Sequence, residues 1–360
     1  VTMVMNLFRY LARDVREQLA AVGYRSIDEA VGRGFERLEQ VYGKHVGIDL
    51  GWMLENPNPA GAPLHSKHKT GERNEYTDPN HPSGMYFDEK VLKLHGAEIL
   101  SGRPAEVTVP VTNTDRVGAR MTYHLRKAFS PESPNKTGFL AEDHVKINLD
   151  GIAGQGLGAF IEQGLTLRAH GANDGVGKSL SGGKIVISAN EASPIAQNPQ
   201  DNVLIGQFAL FGATKGELFV AGKAGNRFAI RNSGGLAVVE GMQDNGCNYQ
   251  TNGRVVCLGE VGHNFGAGMT GGDAFIYDIA NTLEERANDD VVLHRITSGS
   301  KEEQDLRFLV EKHVRETGSR HGQKILDQWE DSLRHFKYVL PSYVPPPTPE
   351  VEETPEFALH

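Results

Sequence analysis

Seven short strand-like runs recur through the middle of this chain at a nearly fixed interval, and six of them directly follow a glycine. They are VKINL (145–149), LTLRA (165–169), KIVIS (184–188), ELFVA (217–221), LAVVE (236–240), RVVCL (254–258) and DAFIY (273–277). Their starts lie 20, 19, 33, 19, 18 and 19 residues apart. The long interval contains EASPIAQNPQDN, a polar, proline-bearing insertion of the right size for a loop. The glycines at the fixed phase are Gly164, Gly183, Gly216, Gly235, Gly253 and Gly272, and a second short segment precedes each, such as RFAIRNS or NFGAGMT. A repeat of 18 to 20 residues with two short strands and a glycine corner in each is what a β-solenoid requires: each repeat returns over the last at about 4.8 Å, and glycine supplies the corner dihedrals and lets backbones approach. The expectation is a mainly β fold, a single-stranded solenoid of about seven coils and roughly 30 Å. An antiparallel sandwich also spaces its strands regularly, but its hairpins do not require glycine at one phase.

Helices are expected on both flanks. Leu7, Leu11, Val15, Leu19 and Val22 form one apolar stripe, Gly23 stops that helix, and Ser26 with Glu29 makes a capping box for a short second helix ending near Gly32. Residues 51–87 hold many Pro, Asn, His and Gly residues without period, and 36–87 read as a linker. DEKVLKLHGAEILSG reads as a helix, AEVTVPV as a strand and DRVGARMTYHLRKAF as a helix. Residues 281–341 are expected to be helical: Leu306, Leu309, Val310 and Val314 share a face, Gly318 stops that helix, and Ile325, Trp329 and Leu333 align on a second. Prolines and acids dominate 342–360, where disorder is expected.

Composition bears on function mainly by exclusion. Lys and Arg number 37 against 46 Asp and Glu, a net charge of −9 without a basic block, which argues against nucleic acid as a partner. No run of about 18 apolar residues is present to span a membrane. Two cysteines make neither a zinc site nor a disulfide framework, and a reducing, cytoplasmic location is expected.

Three glycine motifs resemble nucleotide sites. ANDGVGKS satisfies the relaxed phosphate-loop pattern, but Lys178 and Ser179 lead through two more glycines into a strand rather than a helix that would cap a phosphate. GIAGQGLGAF, with Gly154, Gly156 and Ala159, and GAGMTG (266–271) match dinucleotide fingerprints without room for a crossover helix. All three read as turns of the repeat. His65, His68 and His81 lack a carboxylate or cysteine partner at ligand spacing and read as surface residues, and Cys247 and Cys257 as small packing residues at equivalent places in successive segments. No nucleophile pattern occurs. No catalytic, cofactor-binding or metal-binding residue is assigned.

GANDGVGKSLSGGKIVI, IGQFALFGATKGELFVAGKAGNRFAIRNSGGLAVVEGMQDNGCNY and GHNFGAGMTGGDAFIYD resemble the C-terminal glycine-repeat domain of glutamate synthase large subunits. NLFRYLARDVREQLAAVGYRSIDEAVGR resembles the closing helices of that family's flavin-binding barrel, and LVEKHVRETGSRHGQKILDQWEDSLRHFKYVLP its last helices. The resemblance implies a right-handed β-helix over 88–280, preceded by barrel-end helices at 1–35. It also implies a noncatalytic scaffold beside the glutaminase and flavin domains of an enzyme that makes glutamate from glutamine and 2-oxoglutarate. FMN, an iron–sulfur cluster and an electron-donating small subunit or ferredoxin belong to that complete enzyme. The family's N-terminal cysteine nucleophile, its cluster cysteines and its flavin-binding strands match nothing in this chain, so a C-terminal piece is expected. The alternative is a stand-alone β-helix subunit of a split glutamate synthase or of a complex resembling formylmethanofuran dehydrogenase.

Overall fold

The structure, a computed structural model, describes residues 2–30, 86–129 and 140–342 and falls into two units, residues 1–78 and 79–360. The expected linker up to residue 85, with His65, His68 and His81, the expected helix end near Gly32 and the tail beyond Ser342 lie outside the described residues. In the first unit, α1 (Thr2–Ala21) carries the stripe, whose Leu7, Leu11 and Val15 are 56%, 49% and 42% exposed. Gly23 ends it at φ 84°. The capping of α2 (Ile27–Ala30) differs slightly from a capping box. Glu29 N–H donates to Ser26 Oγ at 3.1 Å, while the Glu29 carboxylate accepts from Arg25 N–H, one residue before the cap.

The second unit opens with α3 (Phe87–Ile99), β1 (Ala105–Thr112) and α4 (Ala119–Phe129). The helix expected over DRVGARMTYHLRKAF starts four residues late because Arg116 and Gly118 are left-handed, at φ 58° and 97°. Asp88, buried on α3, supplies the cap: its carboxylate accepts from the N–H groups of Gly118, Arg120 and Met121 at 2.9–3.0 Å. There follow β2 (Val145–Ala153), β3 (Leu165–Ala169), β4 (Gly171–Ala172), β5 (Ser181–Ser188), β6 (Val203–Ile205), β7 (Lys215–Ala221), β8 (Lys223–Ala224), β9 (Ser233–Val239), β10 (Thr251–Cys257) and β11 (Gly271–Tyr277). The chain ends in α5 (Leu283–Arg286), β12 (Val291–Arg295), α6 (Lys301–Thr317), α7 (Arg320–Asp327), α8 (Trp329–Leu333) and β13 (Phe336–Pro341).

All the runs pair side by side and in parallel, in the order β1, β2, β3, β5, β7, β9, β10, β11. No hairpin joins them, which removes the antiparallel sandwich. Leu167, Ile185, Leu218, Ala237, Val255 and Ala274 are successive partners in one row, fully buried within one core. The row one residue on, Val186, Phe219, Val238, Val256 and Phe275, faces the other way into a second core with Leu306, Leu309, Val310, Ile325, Trp329 and Leu333 of α6–α8. Both faces of the sheet are covered, so the strands read as continuous apolar runs rather than as an alternation. The insertion folds as two 3-10 turns, Pro194–Gln197 and Pro199–Asp201, and lets Lys184 pair with Glu217 across the 33-residue interval.

Several expectations need correction. Thr166, one residue into its run, is the partner of Lys184. A one-residue slip would exchange the faces, and the observed register keeps Leu165 and Leu167 in the core with Ile185 and Ile187. Residues 281–341 are not all helix: FKYVLP forms β13, antiparallel to β11, and VVLHR forms β12, antiparallel to β13. The last expected helix breaks at Gln328, which leaves the helical region at ψ 39° and separates α7 from α8. His313, rather than Val314, takes the buried position on α6.

The largest correction concerns the segment before each glycine, which is a turn and not a strand. In each repeat three alternate residues are left-handed: 156/158/160, 175/177/179, 208/210/212, 227/229/231, 245/247/249 and 264/266/268. The N–H groups of such a triplet point alternately forward and back. Arg227 donates to Asp244 O and Arg231 to Asn248 O in the next repeat, while Ala229 between them donates to Ala209 O in the previous one, at 2.8–2.9 Å. The turns therefore stack as a hydrogen-bonded ladder of their own. A third, short ladder runs from β2 through β4 and β6 to β8.

The glycine corners close the repeat by contact. At Gly253, with φ 90°, an added Cβ would stand 2.5 Å from Gly235 O. Gly235 itself is not left-handed; its neighbour Gly234 takes that role at φ 154°, so the corner shifts by one residue there. Gly318, the α6 cap, has φ 70° and open space around it. Gly318→Ala is expected to cost only the left-handed penalty of about 1–2 kcal/mol, whereas Gly253→Ala adds overpacking of about 1–3 kcal/mol. Urea melts of the two variants check the difference.

Candidate functional site

The nucleotide-like motifs can be tested on their own N–H groups, which a phosphate site must leave free. Gly175, Gly177 and Ser179 donate to Gln207 O, Leu157 O and Phe211 O at 2.8–2.9 Å, and Lys178 N–H turns back to Gly175 O. None points outward, and the chain enters β5 at Ser181 with no helix behind the loop. Gly154 and Gly156 donate to Thr114 O and Asp174 O, and Ala159 back to Gly156 O. In GAGMTG, Gly266 donates to Gly246 O and Gly268 to Asp290 Oδ2. All three motifs are the same left-handed turn in different repeats. Their spacing of glycines two apart comes from the alternating dihedrals, which glycine accepts without strain.

Cys247 and Cys257 are fully buried and free, and they are not equivalent: Cys247 is the middle left-handed residue of a turn, Cys257 the last residue of β10. Burial pushes both thiols up, Cys257 to about 12. They pack and do not react.

The strongest concentration of polar chemistry lies elsewhere, on the sheet face beneath α6. Lys184, its side chain 3% exposed, reaches Glu142, Asp143 and Glu316 at 3.0, 3.1 and 3.0 Å. Arg168, one rung away, donates to Glu316 Oε2 at 2.7 Å and to Glu316 O at 2.8 Å, so it grips the last turn of α6 by side chain and backbone together. Lys312 pairs with Glu217. Farther along, Arg254 makes a two-point contact with Asp273, both bonds 2.7 Å, and reaches Asp305 on α6 at 2.9 Å; Tyr338 donates to Asp273 at 3.2 Å. Between them His313 Nε2 lies 3.2 Å from Glu240 Oε1, with both side chains wholly buried, and Ser319 Oγ donates to the same oxygen while capping α7 through Gly322 N–H.

Burial alone would lower the Lys184 pKa, but its bonds to Glu142, Glu316 and Asp143 outweigh that and hold it above the ordinary lysine value. Burial opposes ionisation of Asp143 and Glu316 as well, yet Thr166 and Lys184 hold Asp143, and Lys184 and Arg168 hold Glu316, below their ordinary 3.8 and 4.5. A cleft of about 370 Å³ opens beside this cluster, lined by Glu142, Asp143, Lys184, Glu217 and the corners Gly183 and Gly216. Of the two cations at its wall, Lys184 has carboxylate partners and Lys215 has none among the described residues, and the cleft's one hydroxyl, Thr166 Oγ1, donates to Asp143 Oδ1 at 2.5 Å. The arrangement fastens α6 to the sheet. Asp143, held below its ordinary pKa by Thr166 and Lys184, is a weak base for the Thr166 hydroxyl, and among the described residues no group of three His, Cys, Asp or Glu side chains could hold a metal.

The sequence signal for this cluster was weak, since Lys184 reads as the first residue of a strand and its partners lie 41 and 132 residues away. Depressed carboxylates contribute stability that is present above their unfolded pKa and lost as pH falls through the folded one. Wild-type stability should therefore decline from pH 5 to pH 3. Lys184→Met takes the cation from Asp143 and Glu142 and leaves Glu316 with Arg168 alone, so it should cost about 1–3 kcal/mol at neutral pH and flatten the acid slope in urea titrations.

The GXGXG motif family model matches residues 88–342, the span from Asp88 to the end of β13. Over 347 residues the chain is 37% identical to the glutamate synthase [NADPH] large chain of Bacillus subtilis, covering 94% of this chain and 21% of that protein. It is 41% identical over 345 residues to the corresponding large chain of Azospirillum brasilense, covering 94% and 22%. It is 38% identical over 361 residues to ferredoxin-dependent glutamate synthase 2 of a Synechocystis strain, covering 98% and 22%. The chain thus spans about a fifth of the length of the curated relatives it matches. With a family model that covers most of the chain and a glycine pattern that the turns explain, the chain belongs to the GXGXG family.

Proposed function

We propose that this chain is the C-terminal, noncatalytic portion of a glutamate synthase large chain, folded as a right-handed β-helix of about seven coils at 88–280 with helices on either side. The observation that carries the reading is the parallel register at near-constant offsets, Val145 with Leu165, Glu217 with Leu236, Arg254 with Asp273, repeated by the turn ladder. Right-handedness follows from the general hand of parallel crossovers. Residues 1–35 would close a flavin-binding barrel, 36–87 would link it to the helix, and 342–360 would form a tail. The role is to scaffold glutaminase and flavin domains of the same enzyme, in the cytoplasm, alongside an electron-donating small subunit or ferredoxin.

The residues present do not fit the cofactors of the complete enzyme. An iron–sulfur cluster takes several cysteine thiolates, and this chain has two cysteines, both buried with raised thiol pKa values. A flavin phosphate needs convergent N–H donors, and the glycine turns spend theirs on the ladder. FMN and the cluster would thus belong to the remaining four-fifths. No helix among the described residues is long and apolar enough to cross a membrane.

Purified chain, mixed with glutamine, 2-oxoglutarate and either NADPH, NADH or reduced ferredoxin, should form no glutamate. Turnover by this chain alone would overturn the noncatalytic reading.

A further inference from the structure

The three left-handed positions of each turn have different surroundings. The middle one points into the core, where Leu210, Ala229 and Cys247 are fully buried, so packing accounts for a side chain there. The third position faces outward. Gly212 and Gly268 occupy it in two repeats, at φ 67° and 68°, which shows that glycine meets the backbone requirement. In three others it holds Phe160, Arg231 and Tyr249, at φ 63°, 53° and 55°. Bulky residues are rare in this region, and their retention needs a reason.

Packing within the chain supplies part of it, since the Tyr249 ring lies 2.5 Å from where a Cβ on Gly268 would stand, but it leaves much of these side chains open. Phe160 and Tyr249 are 55% and 54% exposed, and Arg231 is exposed as well. Exposed Lys178, beside the third position of its own turn, lies over the Phe211 ring at 5.7 Å, and Arg231 lies over the Tyr249 ring at 5.9 Å. Neither cation has a carboxylate partner among the described residues. The residues are adjacent in space: Phe160 N–H donates to Lys178 O, Ser179 to Phe211 O, Gly212 to Ile230 O and Arg231 to Asn248 O. Four steps of about 4.8 Å make a stripe about 19 Å long, in which rings and unpaired cations alternate.

We propose that this stripe docks a polypeptide surface that presents carboxylates beside apolar side chains. Charge complementarity selects it: the only two charges on the stripe are positive and unpaired, in a chain of net charge −9. Aromatic rings flanked by arginine or lysine are the groups that carry binding energy at protein interfaces. A nucleic acid fits less well. Two of these turns begin with Asp174 and Asp244, whose carboxylates accept from Gln207 and His263 N–H at 2.7 and 2.8 Å, and Asp115, in the segment before the first turn, accepts from Gln155 N–H at 2.8 Å. This acidic row runs beside the stripe and opposes a continuous phosphate chain, whereas separate side-chain carboxylates can seat on Lys178 and Arg231 alone.

The test uses the intact chain and a fluorescent, short Glu- and Leu-rich peptide in a low-salt anisotropy titration. Saturable binding is expected, weakened about tenfold or more by Arg231→Gly and by Tyr249→Gly and unchanged by Lys324→Ala on α7. Arg231→Gly should melt no lower than wild type, because its side chain is exposed and the left-handed backbone suits glycine, so its loss of binding is not a loss of fold. Absence of saturable binding, equal binding by all the variants, or preferential binding of an oligo-dT strand through the same residues would overturn the proposal.

Discussion

The constraint on which the rest depends is the accounting of main-chain hydrogen bonds in the turns. A segment such as Asn226–Asn232 is too polar in backbone and too buried to leave N–H groups unpaired. Alternating left- and right-handed dihedrals solve this by sending successive N–H groups to opposite neighbours, as Arg227, Ala229 and Arg231 do. That solution fixes the spacing of repeats, because each turn must lie directly over the next. The glycine corners then follow from contact distance, since at Gly253 or Gly216 the preceding backbone carbonyl occupies the place of a Cβ.

The outer face of the sheet depends on a different balance. Phe219, Val238, Val256 and Phe275 give α6–α8 an apolar seat, and charged groups at the same rungs fix where the helices sit. Lys184, Glu217 and Arg254 share one row at the edge of that seat and meet Glu316, Lys312 and Asp305, while Arg168, in the Phe219 row, meets Glu316 and Glu240, on the far side, meets His313. Buried ion pairs of this kind add little net stability against an apolar core, but a wrong docking would leave each charge unpaired. They act as register marks for helices whose apolar contacts alone would tolerate sliding.

Much of the parallel sheet was legible because its signal is repetitive: six glycines at one phase and apolar runs at one interval. The turns were not, since RFAIRNS carries apolar residues at strand spacing while its left-handed residues are Arg, Ala and Arg, none of which signals that conformation. The register at β3 was not legible, because glycine precedes both runs and only the burial of Leu165 and Leu167 with Ile185 and Ile187 decides it. β13 was hidden behind Trp329 and Leu333, whose helical spacing continues to Phe336 although the helix ends. The ion cluster was invisible for want of any local pattern: its members meet only when α6 docks, far along the chain from Lys184. Rejection of the glycine motifs as phosphate sites was legible from the missing helix, and the bonded N–H groups supply the direct physical cause.

The chain's family membership and its structure agree on one point, that glycines two apart here are a device for stacking turns. Amide hydrogen exchange at 175–179 and 227–231 tests this most directly. Protection comparable to that of β7 and β10 is the predicted result. Exchange at the rate of an unstructured peptide, or protection that arises only on adding a nucleotide, would contradict it.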